Sequence, residues 1–86
     1  MSFLLTDRAL RLVTLERMMR RPQGATMAAM REATGASLAT VKRDISALRD
    51  DIGLPFVTLP KGYGYVYLCM TGEPGAVLRA IAAEAS

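Results

Sequence analysis

Only the dipeptide Gly-Ala at 35–36 separates two segments with helical patterns near the middle of the chain. Thr26 is a suitable N-terminal cap for the first segment, which is predicted over about 27–34 and ends at a glycine, a common residue at helix C-termini. Ser37 can cap the second segment, which is predicted over about 38–51. Two helices with so short a connection must lie against each other, so the sequence predicts a helix-turn-helix.

The segments before and after this motif complete one small domain. A first helix is predicted over about 7–21, with Thr6 as its cap, and it is followed by a turn at 22–25 that begins with proline. Beyond the helix-turn-helix the pattern becomes extended, in FVTL at 56–59 and YGYVYL at 63–68. This pattern predicts a two-stranded β-hairpin around a Pro-Lys-Gly turn.

A final helical pattern covers residues 75–86, after the linker TGEP at 71–74. Its apolar residues recur at i, i+3, i+4 and i+7, which is typical of a helix with one buried face. This stripe either forms a dimer interface or folds back onto the domain, and the sequence leaves both open. Residues 1–70 are thus predicted as an α+β domain of three helices and a hairpin, with 71–86 as linker and C-terminal helix. The stripe consists of Leu78, Ile81, Ala82 and Ala85.

The basic residues are distributed unevenly along the chain. The 86 residues include 11 Lys and Arg against 8 Asp and Glu, a net charge of +3, which alone hardly distinguishes nucleic acid from other partners. Between Arg8 and Arg49, however, nine basic residues stand against three acidic ones. The basic excess therefore lies in the helical half of the chain.

Composition argues against several functional classes. The chain has no histidine and a single cysteine, Cys69, which removes the usual zinc sites, a His-based catalytic triad and an intrachain disulfide. No phosphate-binding loop is present, so we expect no enzyme, no cofactor and no metal. The apolar opening at 1–5 is too short for a signal peptide, and no run could span a membrane, so a soluble cytoplasmic protein is expected.

A helical wheel of the third predicted helix separates an apolar face from a polar one. Val41, Ile45 and Leu48 fall within about 40° of one direction and are predicted to face the core. A helix that enters the DNA major groove needs small residues near its start and cations around them, and the other side of this helix has both. The alternative is that these cations form an ordinary solvated face. The residues away from the core are Ala39, Thr40, Lys42, Arg43, Ser46 and Asp50.

Four short motifs occur in order along the chain: GAS at 35–37, TVKRDI at 40–45, GLP at 53–55 and GYGY at 62–65. With them the chain resembles, over residues 6–68, the winged helix-turn-helix at the N-terminus of DeoR-type and WYL-domain transcriptional regulators, which is related to that of biotin-operon repressors. Further residues that carry the resemblance are Arg8, Leu12, Val13 and Leu48.

The resemblance implies sequence-specific binding to double-stranded DNA and regulation of transcription. The third helix would lie in the major groove, and the hairpin wing would touch the backbone or minor groove. The wing would contact DNA through Lys61, its only cation. The helix residues predicted to contact DNA are Ser37, Leu38, Ala39, Thr40, Lys42, Arg43, Ser46 and Arg49.

A homodimer is expected, because one winged helix reads one short half-site. The candidate interfaces are the C-terminal stripe and the surplus apolar residues Leu10, Val13 and Met18 of the first helix. The sensor domain of larger regulators is not in this sequence, and whether the chain is complete or a fragment is left open. The alternative function is a winged-helix module that contacts protein and does not read DNA.

Several residues have two interpretations. Glu16 lies in the apolar arc of the first helix, where it either pairs with an arginine or indicates that the helix is rotated. Asp44 either pairs with a neighbouring arginine or is solvated. Tyr63, Tyr65 and Tyr67 are expected to pack in the core, on a strand covered on both faces, rather than form a stacking platform for single-stranded bases.

Overall fold

The structure is a computed structural model that describes residues 6–85, and the side chains of 6–84. It has an α+β fold, as predicted, with four α-helices and one three-stranded antiparallel sheet. Ala85 is helical, as predicted, but its side chain lies outside the described part of the chain. The elements are α1 (Asp7–Met19), β1 (Ala25–Thr26), α2 (Met27–Thr34), α3 (Leu38–Ala47), β2 (Val57–Lys61), β3 (Gly64–Leu68) and α4 (Ala76–Ala85).

The predicted caps start the first three helices. The hydroxyls of Thr6, Thr26 and Ser37 each accept a hydrogen bond from the backbone N–H three residues ahead, at 3.1, 3.1 and 3.2 Å. Gly35 ends α2 in the left-handed conformation, with φ 68°, and donates its N–H to the carbonyl of Arg31. Because a left-handed residue reverses the chain at once, α3 begins three residues later and packs against α2.

The third helix is shorter than predicted. Its α-helical part ends at Ala47, and the chain continues as one π-helical turn, Leu48–Ile52. The turn closes at Gly53, whose N–H donates to the carbonyl of Leu48. Because a π-helical turn is wider than an α-helical one, a regular wheel does not place Arg49 correctly.

The sheet contains a strand that the sequence analysis predicted as a turn. Ala25 and Thr26 pair antiparallel with β3, giving the strand order β1-β3-β2. Gly24 makes the pairing possible: it has φ 70°, and a Cβ there would lie 2.9 Å from the Tyr67 carbonyl oxygen and closer still to the Val66 side chain. The prediction of a two-stranded hairpin alone was therefore wrong, although β2 and β3 do form it.

The core lies where the four helices meet. The predicted inward face of α3 is confirmed, since Val41, Ile45 and Leu48 are all buried. Residues from each helix and from the segment after β3 are completely or almost completely buried. The largest of them are Leu15, Met19, Met30, Leu48, Val41, Val77 and Cys69.

The carboxylate of Glu16 lies within this core, only 3% exposed. Its Oε2 accepts the N–H groups of Gly75 and Ala76, and its Oε1 accepts that of Val77, each at 3.0 Å. Arg20 donates its Nε to Oε2 at 2.9 Å. Glu16 therefore both pairs with an arginine, as one interpretation held, and caps the N-terminus of α4 from another helix.

The C-terminal helix folds back onto its own domain. Val77 is fully buried, and α4 packs against α1 and the π-helical turn. Two of the surplus apolar residues proposed as a dimer surface, Val13 and Met18, are buried inside the domain, so that part of the prediction was wrong. Leu10 on α1 and Leu78 on α4 remain exposed.

Candidate nucleic-acid interface

The side of α3 opposite the core is open to solvent. Lys42 and Arg43 are exposed in the middle of the helix, while the neighbouring Val41 is completely buried. This contrast fixes the rotation of the helix, so its cations point away from the domain. Of the remaining predicted contacts on the helix, the exposed ones are Ser37, Leu38 and Ala39, and the partly exposed ones are Thr40 and Ser46.

A shallow surface groove brings a third cation to this side. Arg8, in the first turn of α1, lines the groove together with Lys42, Arg43 and Ser46. Three cations from two helices therefore share one surface, as binding to a phosphate backbone requires. The sequence analysis placed Arg8 in the basic half and in the family resemblance, but not among the contacts, because α1 and α3 meet only in the folded chain.

The same groove also has an acidic part to its lining. Asp50 and Asp51, from the π-helical turn, line it together with Arg8. Arg49 does not line the groove, and its Nε donates to Asp50 Oδ1 at 3.2 Å, between two exposed side chains. Three cations and two acids therefore line the groove. Among the predicted contacts, Arg49 stands apart from this basic cluster.

The start of α3 is held by two hydroxyls. Ser37 Oγ accepts the N–H of Thr40 at 3.2 Å and lies 3.1 Å from the Thr40 hydroxyl. These bonds fix where the helix begins, and therefore where Leu38 and Ala39 lie on its exposed first turn. The first turn of a helix presents backbone N–H groups, which attract phosphate oxygens.

A buried ion pair joins α3 to α1. Asp44 is 2% exposed, and its two oxygens accept Nε of Arg11 at 2.7 Å and Nη2 at 3.4 Å. The interpretation in which Asp44 pairs with an arginine is thus confirmed. The hydrogen bond to Asp44 raises the pKa of Arg11, and the charges of Asp44 and Asp7 act with it against the effect of burial. The arginine therefore stays charged, and the pair fixes α3 on the domain.

The hairpin carries Lys61 at the end of β2, exposed and directly opposite Gly64. The expectation that the tyrosines pack in the core was wrong for two of them: Tyr63 is fully exposed, and Tyr65 is 58% exposed. Only Tyr67 packs, against Phe56, with 6.1 Å between ring centroids. The reason is that Tyr63 lies in the turn, beyond the reach of any helix, so the hairpin is not covered on both faces.

Other kinds of site were sought in the described part of the chain. Residues 6–85 contain no cluster of three or more His, Cys, Asp or Glu that could hold a metal ion. Cys69 is buried directly after β3, with its Sγ 3.5 Å from the Thr71 carbonyl oxygen. Within the same residues, no helix has both the length and the apolar character needed to cross a bilayer.

Comparison with known proteins identifies no relative. No protein-family model matches the chain, and neither a curated protein nor a solved structure matches it. The functional evidence is therefore the geometry and charge of α3 and the first turn of α1, and of the hairpin.

Proposed function

We propose that this chain is a sequence-specific, double-stranded-DNA-binding transcriptional regulator of the winged helix-turn-helix class, similar to the DNA-binding domains of DeoR-type regulators. In this proposal α3 lies in the major groove, and the β2–β3 hairpin is the wing. The observation that carries the proposal is that Arg8 of α1 and Lys42 and Arg43 of α3 line one exposed groove, and that the other side of α3 is buried.

The three cations have different parts in the proposed complex. Arg43 lies nearly opposite the core side of α3, so it enters the groove most deeply, where a guanidinium can bind two acceptors of a guanine. Lys42 on the flank and Arg8 on α1 meet the phosphates that border the groove. Ala39, Thr40 and Ser46 are small, and this allows the helix axis to approach the base edges.

The ion pair between Arg11 and Asp44 gives this surface its fixed orientation. A carboxylate beside two cations on a DNA-facing helix would repel phosphate if it were exposed. Burial under α1 and the bidentate contact with Arg11 remove most of that repulsion. Asp44 is therefore a positioning residue, and Lys42 and Arg43 remain available for DNA.

Binding as a homodimer follows from the size of the reading surface. One helix contacts a few base pairs, and useful specificity requires a second half-site. Since α4 is held on its own domain, the apolar residues available for contact between copies in the described structure include Leu10 on α1 and Leu78 on α4.

Arg43→Ala tests the proposal. Fluorescence anisotropy at roughly physiological salt, with a duplex selected from a random pool, should show a loss of affinity of 1–3 kcal/mol, about 5- to 150-fold. Arg17→Ala is the matched control: Arg17 is exposed on α1 about 13 Å along the helix from Arg8, so it should bind within about two-fold of wild type.

The alternative function predicts a different result. A module that contacts only protein would bind duplex DNA negligibly, and Arg43→Ala would then make no difference. Wild-type binding that Arg43→Ala leaves unchanged would contradict the role of α3 as the reading helix. Equal losses for Arg43→Ala and Arg17→Ala would mean that only general charge is sensed.

A further inference from the structure

The tip of the hairpin presents one aromatic ring that the described residues do not cover. Tyr63 is fully exposed. It stands between Gly62 and Gly64, and a Cβ built at either glycine would meet no atom within 4 Å. The exposure of Tyr63 shows that the described residues leave its ring uncovered. An uncovered aromatic ring of this kind is typical of a contact surface.

The base of the same hairpin shows how the domain treats a tyrosine that it can cover. Tyr67 is partly buried and packs against Phe56. Tyr65 is intermediate in position along β3, and it remains 58% exposed. Exposure of the aromatic side chains thus increases toward the tip. Packing against the described residues therefore does not account for an aromatic residue at position 63.

The charges around Tyr63 favour a nucleic acid as its partner. From Ile52 to Gly72 the sequence has no acidic residue, and Lys61 is the only cation. Lys61 pairs with Gly64 across the turn, so its ammonium belongs to the same tip as the ring. Nothing in this segment repels phosphate, but a single cation provides little affinity through counterion release. Base stacking by an aromatic ring provides affinity without charge.

A second copy of the chain fits the hairpin less well. The sheet has two edge strands, β1 and β2, and the longer one, β2, is the free edge of the hairpin that another strand would have to extend. The register pairs Lys61 with Gly64 next to the two-residue turn, so Pro60 stands at a position whose backbone groups face the free edge. Proline has no N–H to donate there, and this opposes strand addition.

We propose that Tyr63 is a DNA-contacting residue that stacks on a nucleotide base at the edge of the site read by α3. The inference rests on the proposed function and adds the nature of the wing contact, which is aromatic rather than ionic. A side chain inserted at a base step from the minor groove makes a contact of this kind. The contact adds affinity that depends little on salt.

Four variants distinguish an aromatic contact by Tyr63 from an ionic contact by Lys61. Binding of each to the selected duplex is measured by fluorescence anisotropy at several salt concentrations. Tyr63→Ala should bind about 5- to 150-fold more weakly, with an unchanged salt slope. Tyr63→Phe keeps the ring and should bind within about two-fold of wild type. Lys61→Ala should reduce the salt slope by about one. Met70→Ala, an exposed apolar side chain after β3, is the control and should bind like wild type.

Folding does not confound this test, because the described residues leave Tyr63 fully exposed, and Tyr63→Ala should therefore melt at the wild-type temperature. If wild type binds and Tyr63→Ala binds equally well, the inference is overturned while the proposed function stands. A Tyr63→Phe variant as weak as Tyr63→Ala would also overturn it, since the hydroxyl and not the ring would then matter. If the wild-type protein neither enriches a motif from the pool nor binds any duplex, the proposed function fails and the inference fails with it.

Discussion

Glu16 is the residue whose burial is hardest to reconcile with an ordinary helix surface. Removing a carboxylate from water costs several kcal/mol unless its oxygens are satisfied. Burial acts to raise the pKa of Glu16, but hydrogen bonds from Val77, Arg20, Ala76 and Gly75 outweigh it, and the pKa lies below its ordinary value. The charged form is therefore the one that stabilises the fold.

Glu16→Gln should lower the free energy of unfolding by about 2 kcal/mol at neutral pH, because an amide cannot accept all four hydrogen bonds. The folded pKa lies below the ordinary value of 4.5, so the unfolded chain binds more protons as the pH falls through this range. The stabilisation by Glu16 is complete above 4.5 and is lost as the pH falls through the folded pKa. Urea unfolding of wild type and Glu16→Gln, from neutral to acidic pH, measures the difference in their free energies of unfolding.

The difference between wild type and Glu16→Gln should therefore shrink in acid. Glu32→Gln is the control, since Glu32 is exposed on α2 and its substitution should change stability by less than about 0.5 kcal/mol at neutral pH. A difference between wild type and Glu16→Gln that is the same at neutral and acidic pH would contradict this role of the carboxylate.

The residue scale also shows where sequence reasoning stops. Glu16 was recognisable as an anomaly, because it interrupts an apolar arc. Its principal partners were not, since they lie 59 to 61 residues along the chain. Pairing with an arginine was one of two interpretations of Asp44, and the partner is Arg11, at a separation of 33 residues. A wheel shows which way a side chain points, but it does not show which element it meets.

Between elements, the Arg11–Asp44 pair is the contact that fixes α3 on α1. A double-mutant cycle with Arg11→Ala and Asp44→Ala should give a coupling energy of about 1–3 kcal/mol in urea unfolding. The side chains are 24% and 3% exposed, so solvent screens the pair only in part. The exposed Arg49–Asp50 pair, 59% and 64% exposed, is the control and should couple by less than about 0.5 kcal/mol. Equal coupling energies in the two cycles would refute the fixing role.

The short strand β1 depends on a glycine. Gly24 and Gly35 both have positive φ, 70° and 68°, so alanine at either position should cost about 1 kcal/mol. Only Gly24 faces the β3 backbone at close range, so Gly24→Ala should cost about 1–3 kcal/mol more than Gly35→Ala in urea unfolding. Similar losses for the two variants would show that β1 does not require this close approach.

Elements with local signals were predictable, and those without were not. Helices α1, α2 and α3 each start at a Ser or Thr whose hydroxyl accepts a hydrogen bond from the backbone N–H three residues later. A capping residue of this kind can be recognised in the sequence alone. Strand β1 is two residues long, too short to show alternation, and it forms only because β3 lies beside it. The π-helical turn after Ala47 likewise has no periodic signal of its own.

At the scale of the whole molecule, the described part measures 46 × 27 × 20 Å. One turn of duplex is about 34 Å long, so two copies fit in successive major grooves only if the 46 Å axis of each copy runs across the duplex rather than along it. The fold class was predictable because helical and extended patterns are separated along the chain. The fold-back of α4 and the exposure of the hairpin tip were not, because both depend on which surfaces remain to be covered after the other elements have packed.

Selection from a randomised duplex pool at roughly physiological salt tests the central claim most directly, since only a protein that reads bases enriches a motif there. The proposal predicts enrichment of an inverted repeat with half-site centres about 10 base pairs apart, as two copies of α3 in successive major grooves would read it. Sequences that remain random after selection, with wild-type protein folded and in excess, would contradict the assignment of α3 as a DNA-reading helix.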